Sequence, residues 1–89
     1  MGNTKDNISK QVKSILIDKL GIAETAVTPD ANLSRDLGID SLDYAELIME
    51  FEQEFNIRIS YQDTELLVSV KDVEEYIRKK LQDSKNDQT

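Results

Sequence analysis

Ser41-Leu42-Asp43-Tyr44-Ala45-Glu46-Leu47-Ile48-Met49-Glu50-Phe51-Glu52-Gln53-Glu54-Phe55 is the stretch whose pattern decides the fold. Helical residues advance by about 100° each. With Ser41 at the origin, Tyr44, Leu47, Ile48, Phe51 and Phe55 fall on an arc of roughly 240° to 340°, a face built for burial. Leu42, Ala45 and Met49 fall at roughly 40° to 100°, on the side that Ser41 shares. Asp43, Glu46, Glu50 and Glu52 stand around them. One helix therefore carries two apolar stripes, one for a core and one left over.

Outward from this helix the apolar spacing predicts three partners. Ile8, Val12, Ile15, Leu16 and Leu20 recur on one face and Gly21 follows as a stop, giving a first helix over roughly 6–20. The segment 21–40 has no sustained period and holds the turn signal Thr28-Pro29-Asp30. Val27, Leu33, Leu37 and Ile39 punctuate it, which predicts a structured crossover pinned to the core. Ser60-Tyr61-Gln62-Asp63 and Ser69-Val70-Lys71-Asp72 each have capping-box spacing. The first opens a short third helix to about Leu66. The second opens a final helix, about 70–82, with Val70, Val73, Ile77 and Leu81 inward. The expected fold is all-α, a four-helix bundle with a long crossover loop between the first and second helices and a short third helix. One domain is expected over residues 1–89, with polar, disordered tails at 1–6 and 83–89.

Composition narrows the function. The 89 residues include 18 acids, 11 bases and neither Cys nor His, for a formal charge of −7. The charge argues against nucleic acid as a partner. Without imidazole or thiol there is no ordinary zinc site, no Cys nucleophile and no triad that uses His, so neither a metal site nor a catalytic residue is expected. Apolar runs stop at Ile15–Ile17, Leu47–Met49 and Leu66–Val68, too short to span a bilayer. Asp6 stands where a myristoylation motif after Gly2 needs Ser or Thr. The expectation is a cytoplasmic monomer that is not an enzyme.

The acidity is local. Between Asp36 and Glu65 nine acids stand against one base, Arg58, while the rest of the chain holds nine acids and ten bases. Glu46/Glu50 and Glu50/Glu54 are like-charge pairs at i,i+4, each costing a few tenths of a kcal/mol. A solvated face would explain a charge run, but the adjacent apolar stripe favours a docking surface for basic partners. Asp40-Ser41-Leu42 begins this helix. Capping alone would account for Asp40 and Ser41; a helix N-terminus also favours a phosphate.

The run Leu33-Ser34-Arg35-Asp36-Leu37-Gly38-Ile39-Asp40-Ser41-Leu42-Asp43, followed by Glu46-Leu47-Ile48-Met49 and Glu52-Gln53-Glu54-Phe55, closely resembles the acyl carrier protein family. The resemblance extends from about Ile8 to Leu81. It implies that Ser41 takes a covalent 4′-phosphopantetheine arm from coenzyme A through a phosphopantetheinyl transferase. The arm's thiol would hold acyl intermediates as thioesters and present them to acyl-transferring and condensing enzymes with basic docking surfaces, in fatty-acid or polyketide synthesis. It further implies that Asp40, Leu42, Asp43, Ala45, Glu46, Met49 and Glu52 form the partner-recognition face. A chain without Cys would then borrow its thiol, as group carriers do.

Two residues depart from the family pattern. Tyr44 replaces a smaller residue at the core edge, which bears on the space for an acyl chain between the helices. Ser60 stands where many relatives have Pro, and Ser caps a helix start well. Two other readings stay open: an unmodified acidic helical interaction module, and a carrier for aminoacyl or peptidyl groups. A hydrolase built on Ser41 would need a Ser–Lys pair in place of the absent His.

Overall fold

The computed structural model describes residues 4–87 of the chain. Three α-helices form in order: α1 (Thr4–Leu20), α2 (Ser41–Phe55) and α3 (Val70–Asp87). Two short 3₁₀ turns, Glu24–Ala26 and Gln62–Leu66, lie in the connections. The second is the expected short third helix, wound as 3₁₀ and confined to one and a half turns, as such helices usually are.

Each helix buries the face its spacing predicts. Ile8, Val12, Ile15 and Leu16 from α1 meet Leu47, Ile48, Phe51 and Phe55 from α2 and Val70, Val73 and Ile77 from α3. Tyr44, Leu20 and Leu81 pack half-buried at the margin. Phe51 is fully enclosed, and its ring lies 6.5 Å from that of Phe55 at a 45° tilt. No charged or polar side chain is buried among the described residues. Burial of apolar area therefore carries the fold.

The helix ends follow from their residues. Gly21 takes a left-handed φ of 68° and donates its N–H to the Ile17 carbonyl at 3.0 Å, closing α1. Asn56, a residue that tolerates the left-handed region, closes α2 at φ 56°. At α3 the capping box is complete: Asp72 N–H donates to Ser69 Oγ at 3.3 Å, and Ser69 N–H donates to Asp72 Oδ2 at 3.1 Å. At Ser60 it is half made. Asp63 N–H reaches Ser60 Oγ at 3.2 Å, while the Asp63 carboxylate instead accepts the Tyr76 hydroxyl at 2.6 Å.

The helix limits differ from the expected tails. α1 begins at Thr4 and α3 runs to Asp87 instead of ending near Gln82. Nothing between Asp83 and Asp87 is Pro or Gly, so nothing in the sequence halts the helical hydrogen-bond ladder. Residues 1–3 and 88–89, the remainder of the expected tails, lie outside the described residues.

The long crossover is ordered by its own backbone. Val27, Ala31, Leu33 and Ile39 are buried and Leu37 is partly so. Asn32 and Ser69 form an isolated antiparallel bridge. Around it Leu33 N–H donates to the Val68 carbonyl at 2.9 Å, and Val70 N–H donates to that of Ala31 at 3.0 Å. Asn32 Oδ1 accepts the amides of Ser34 and Arg35, and Asp36 Oδ2 accepts the Asn32 amide. The loop is thereby stitched to the segment that leads into α3.

Two expected outcomes test this packing. Phe51→Ala should lower unfolding free energy by about 3–5 kcal/mol, read from urea melts. Burial first, then the hydrogen bond to Asp63 and the charges of Asp63 and Glu52, hold the Tyr76 phenol well above its ordinary value. The folded state thus keeps a proton that the unfolded chain loses above about pH 10, so this stabilisation is complete below that pH and fades above it. Urea midpoints should fall as pH rises beyond 10, and Tyr76→Phe should make the fall shallower; equal slopes would count against the bond.

Candidate functional site

The approach to α2 turns on Gly38, whose φ of 69° is left-handed. No atom lies within 4 Å of where a Cβ would sit, so glycine serves backbone geometry here, not space. Ile39 then drops into the core, its N–H donating to the Leu33 carbonyl at 3.0 Å. Asp40 follows as the N-cap: its Oδ1 accepts the Asp43 N–H at 2.9 Å, and its carbonyl accepts that of Tyr44 at 2.8 Å. Capping is thus the work of Asp40. Ser41 is left at the first helical position with its side chain exposed. The amides of Ser41 and Leu42 have no protein acceptor among the described residues, so the positive end of α2 opens toward solvent beside the hydroxyl.

Along α2 the second stripe is where the angles put it. Leu42 is 79% and Met49 56% exposed, and Ala45 and Glu46 are exposed beside them. Asp40 is exposed and Asp43 partly so. The acids divide more finely than their spacing suggests. Glu50 Oε2 lies 3.8 Å from Lys19 Nζ, and Glu54 accepts from Gln11 at 3.3 Å, so these two face α1. Glu52, expected on the partner face, accepts the Ile59 N–H at 2.8 Å and so ties down the chain after α2. The outward surface beside Ser41 is therefore led by Asp40, Leu42, Asp43, Ala45, Glu46 and Met49.

A cleft of about 480 Å³ opens next to Ser41. Asn32, Leu33 and Ser34 of the crossover form one side, Asp40, Ser41 and Tyr44 another, and Thr64, Glu65, Leu67 and Val68 the third. The Tyr44 hydroxyl donates to the Thr64 carbonyl and, at 3.1 Å, to that of Leu67. Burial raises the Tyr44 pKa above that of an ordinary phenol. The spacing of residues missed this third wall. Tyr61, Leu66 and Val68 are exposed large apolar residues on the same segment. The run Leu66–Val68 was the available signal, since only Leu67 of the three is buried.

An exposed serine at a helix start, a cleft at its side and a two-striped acidic helix lie together at one end of the molecule. Comparison with known proteins identifies the family. Residues 10–77 match the family described as "Phosphopantetheine attachment site". The acyl carrier protein of Karelsulcia muelleri is 51% identical over 81 residues, covering 91% of this chain and 98% of that protein. That of Thermotoga maritima is 45% identical over 78 residues, covering 88% and 96%. A crystal structure of an acyl carrier protein from Thermotoga maritima superposes with a TM-score of 0.77 at 29% identity, covering 89% of this chain and 92% of that one. The chain belongs to the acyl carrier protein family. It is a carrier bearing a phosphopantetheine arm, not a catalyst, and it works with a phosphopantetheinyl transferase and synthase enzymes. Among the described residues no helix is long and apolar enough to cross a membrane.

Proposed function

We propose that Ser41 is the residue that holds the arm, and that the chain carries acyl intermediates of fatty-acid synthesis as thioesters. The observation that carries this reading is the exposed Ser41 hydroxyl at the first position of α2, beside amides that have no protein acceptor. Those amides and the helix dipole suit a phosphodiester at this oxygen. When bound, the arm supplies the thiol that the chain lacks. Ser41 Oγ is the nucleophile: it bonds to the phosphorus that bears the pantetheine, the pyrophosphate P–O bond of coenzyme A breaks, and adenosine 3′,5′-bisphosphate leaves. The chain has no His to take the Ser41 proton, and this reading gives that role to the transferase.

Partner enzymes dock on Asp40, Leu42, Asp43, Ala45, Glu46 and Met49, with Glu52 holding the end of this face through Ile59. Acids at the rim steer basic enzyme surfaces toward Ser41, and Leu42 and Met49 supply the apolar contact. The protein acts as a monomer. A reducing cytoplasm suits an arm that ends in a free thiol.

Incubation with coenzyme A and a phosphopantetheinyl transferase should add one phosphopantetheine to the intact mass. Ser41→Ala should add none, and an adduct on that variant would end the assignment. Docking has its own test. Glu46→Lys and Met49→Ala should each lower kcat/KM of the transferase by about tenfold. Their unfolding free energies should stay within about 0.5 kcal/mol of the parent, and a larger loss would place these side chains in the core. Raising ionic strength from about 0.05 M to about 0.5 M should also lower kcat/KM, since exposed charges more than a Debye length apart are screened.

A further inference from the structure

The cleft beside Ser41 is bridged by one side chain, Tyr44, which reaches from α2 to the opposite wall. From α2 and its cap the cleft is lined by Asp40, Ser41 and Tyr44 but not by Leu47, Ile48 or Phe51, the next residues down the same face. Those three are buried in the core. Tyr44 is the last α2 residue in the lining before those buried side chains, and Leu33, Ile39 and Leu67, which also line the cleft, belong to the same core. The Tyr44 hydroxyl is bound to the carbonyls of Thr64 and Leu67, both on the opposite wall. The ring therefore bridges α2 to the 62–67 turn, and both ends of the bridge are fixed, one by the helix and one by hydrogen bonds.

We propose that Tyr44 is a specificity-determining residue whose bridge limits the depth of this cleft, so that the protein shelters short acyl groups and leaves longer ones exposed. The proposal rests on the reading that Ser41 carries the arm. Cargo tethered at Ser41 meets this cleft first, since Ser41 itself lines it. To go deeper, an acyl chain must part Tyr44 from two carbonyls and displace a side chain packed against the core. A group that fits the outer cleft pays neither cost and gains the contact of Leu33, Ile39, Leu67 and Val68. Removing the hydroxyl abolishes the bridge and retains the ring. At the usual net strength of a hydrogen bond, the opened arrangement then becomes about fivefold more populated. Removing the ring vacates the volume it fills and adds that space to the cleft.

The test loads the parent protein, Tyr44→Phe and Tyr44→Ala with acetyl, butyryl, octanoyl or dodecanoyl groups, using acyl-coenzyme A donors and the transferase. Intact mass confirms the load, and the readout is thioester lifetime against hydroxylamine. In the parent, lifetime should lengthen from acetyl to butyryl and gain nothing further with octanoyl or dodecanoyl. Tyr44→Phe should lengthen the octanoyl lifetime by up to about fivefold, and Tyr44→Ala should extend protection to dodecanoyl. Circular dichroism checks the fold, and if Tyr44→Ala does not fold, Tyr44→Phe decides alone. A parent that protects dodecanoyl best, or the same profile in parent and Tyr44→Phe, overturns the proposal. Failure of the parent to accept any arm removes the Ser41 reading along with it, whereas full loading with unchanged lifetimes overturns the role of Tyr44 alone.

Discussion

The rotation of α2 about its own axis is the constraint on which everything else depends. Leu47, Ile48, Phe51 and Phe55 must leave water, and a rigid helix that turns one face inward has no choice about the opposite one. Leu42, Ala45 and Met49 are outside because Phe51 is inside. Asp40 then decides where the helix starts, by accepting the Asp43 amide at 2.9 Å. Rotation and start together put the Ser41 hydroxyl at an exposed helix end, without strain at Ser41 itself. The only left-handed backbone in this approach is at Gly38, where no side chain has to bear it.

The second constraint is the pairing of the crossover with the segment before α3. Hydrogen bonds of Ala31 and Leu33 with Val70 and Val68 hold two long connections side by side at the Ser41 end of the molecule. They convert what spacing alone reads as a twenty-residue loop into one wall of a cleft. The same pairing brings Thr64 and Leu67 within reach of Tyr44. The cleft therefore exists because two irregular segments satisfy each other's backbone groups, leaving side chains of both free to line it.

How much of this was legible in the sequence follows from the kind of interaction involved. The faces of α1, α2 and α3 were readable because periodicity reports burial directly, and the start of α2 at Ser41 was readable because Asp40 is a preferred cap residue. Val27, Leu33 and Ile39 were readable as anchors of the crossover, although Ala31 passed unnoticed because alanine is at home inside and outside alike. The destinations of Glu50, Glu52 and Glu54 were not readable: whether an acid faces solvent, a lysine on α1 or a stray amide at Ile59 depends on a neighbour far away in sequence. The bond from Tyr44 to two carbonyls of the 62–67 turn was hidden for the same reason, and the extension of α3 to Asp87 because charged residues permit a helix without demanding one.

The division of α2 into an inward and an outward face is tested most directly by titrating the nitrogen-15-labelled protein with a phosphopantetheinyl transferase and following every backbone amide by NMR. The account predicts that signals from Asp40, Ser41, Leu42, Ala45, Glu46 and Met49 shift or broaden first. Those of Val12, Leu16, Val73 and Ile77, on helices that face the other way, should stay in place. Perturbation concentrated on α1 and α3, with the start of α2 unchanged, would contradict it.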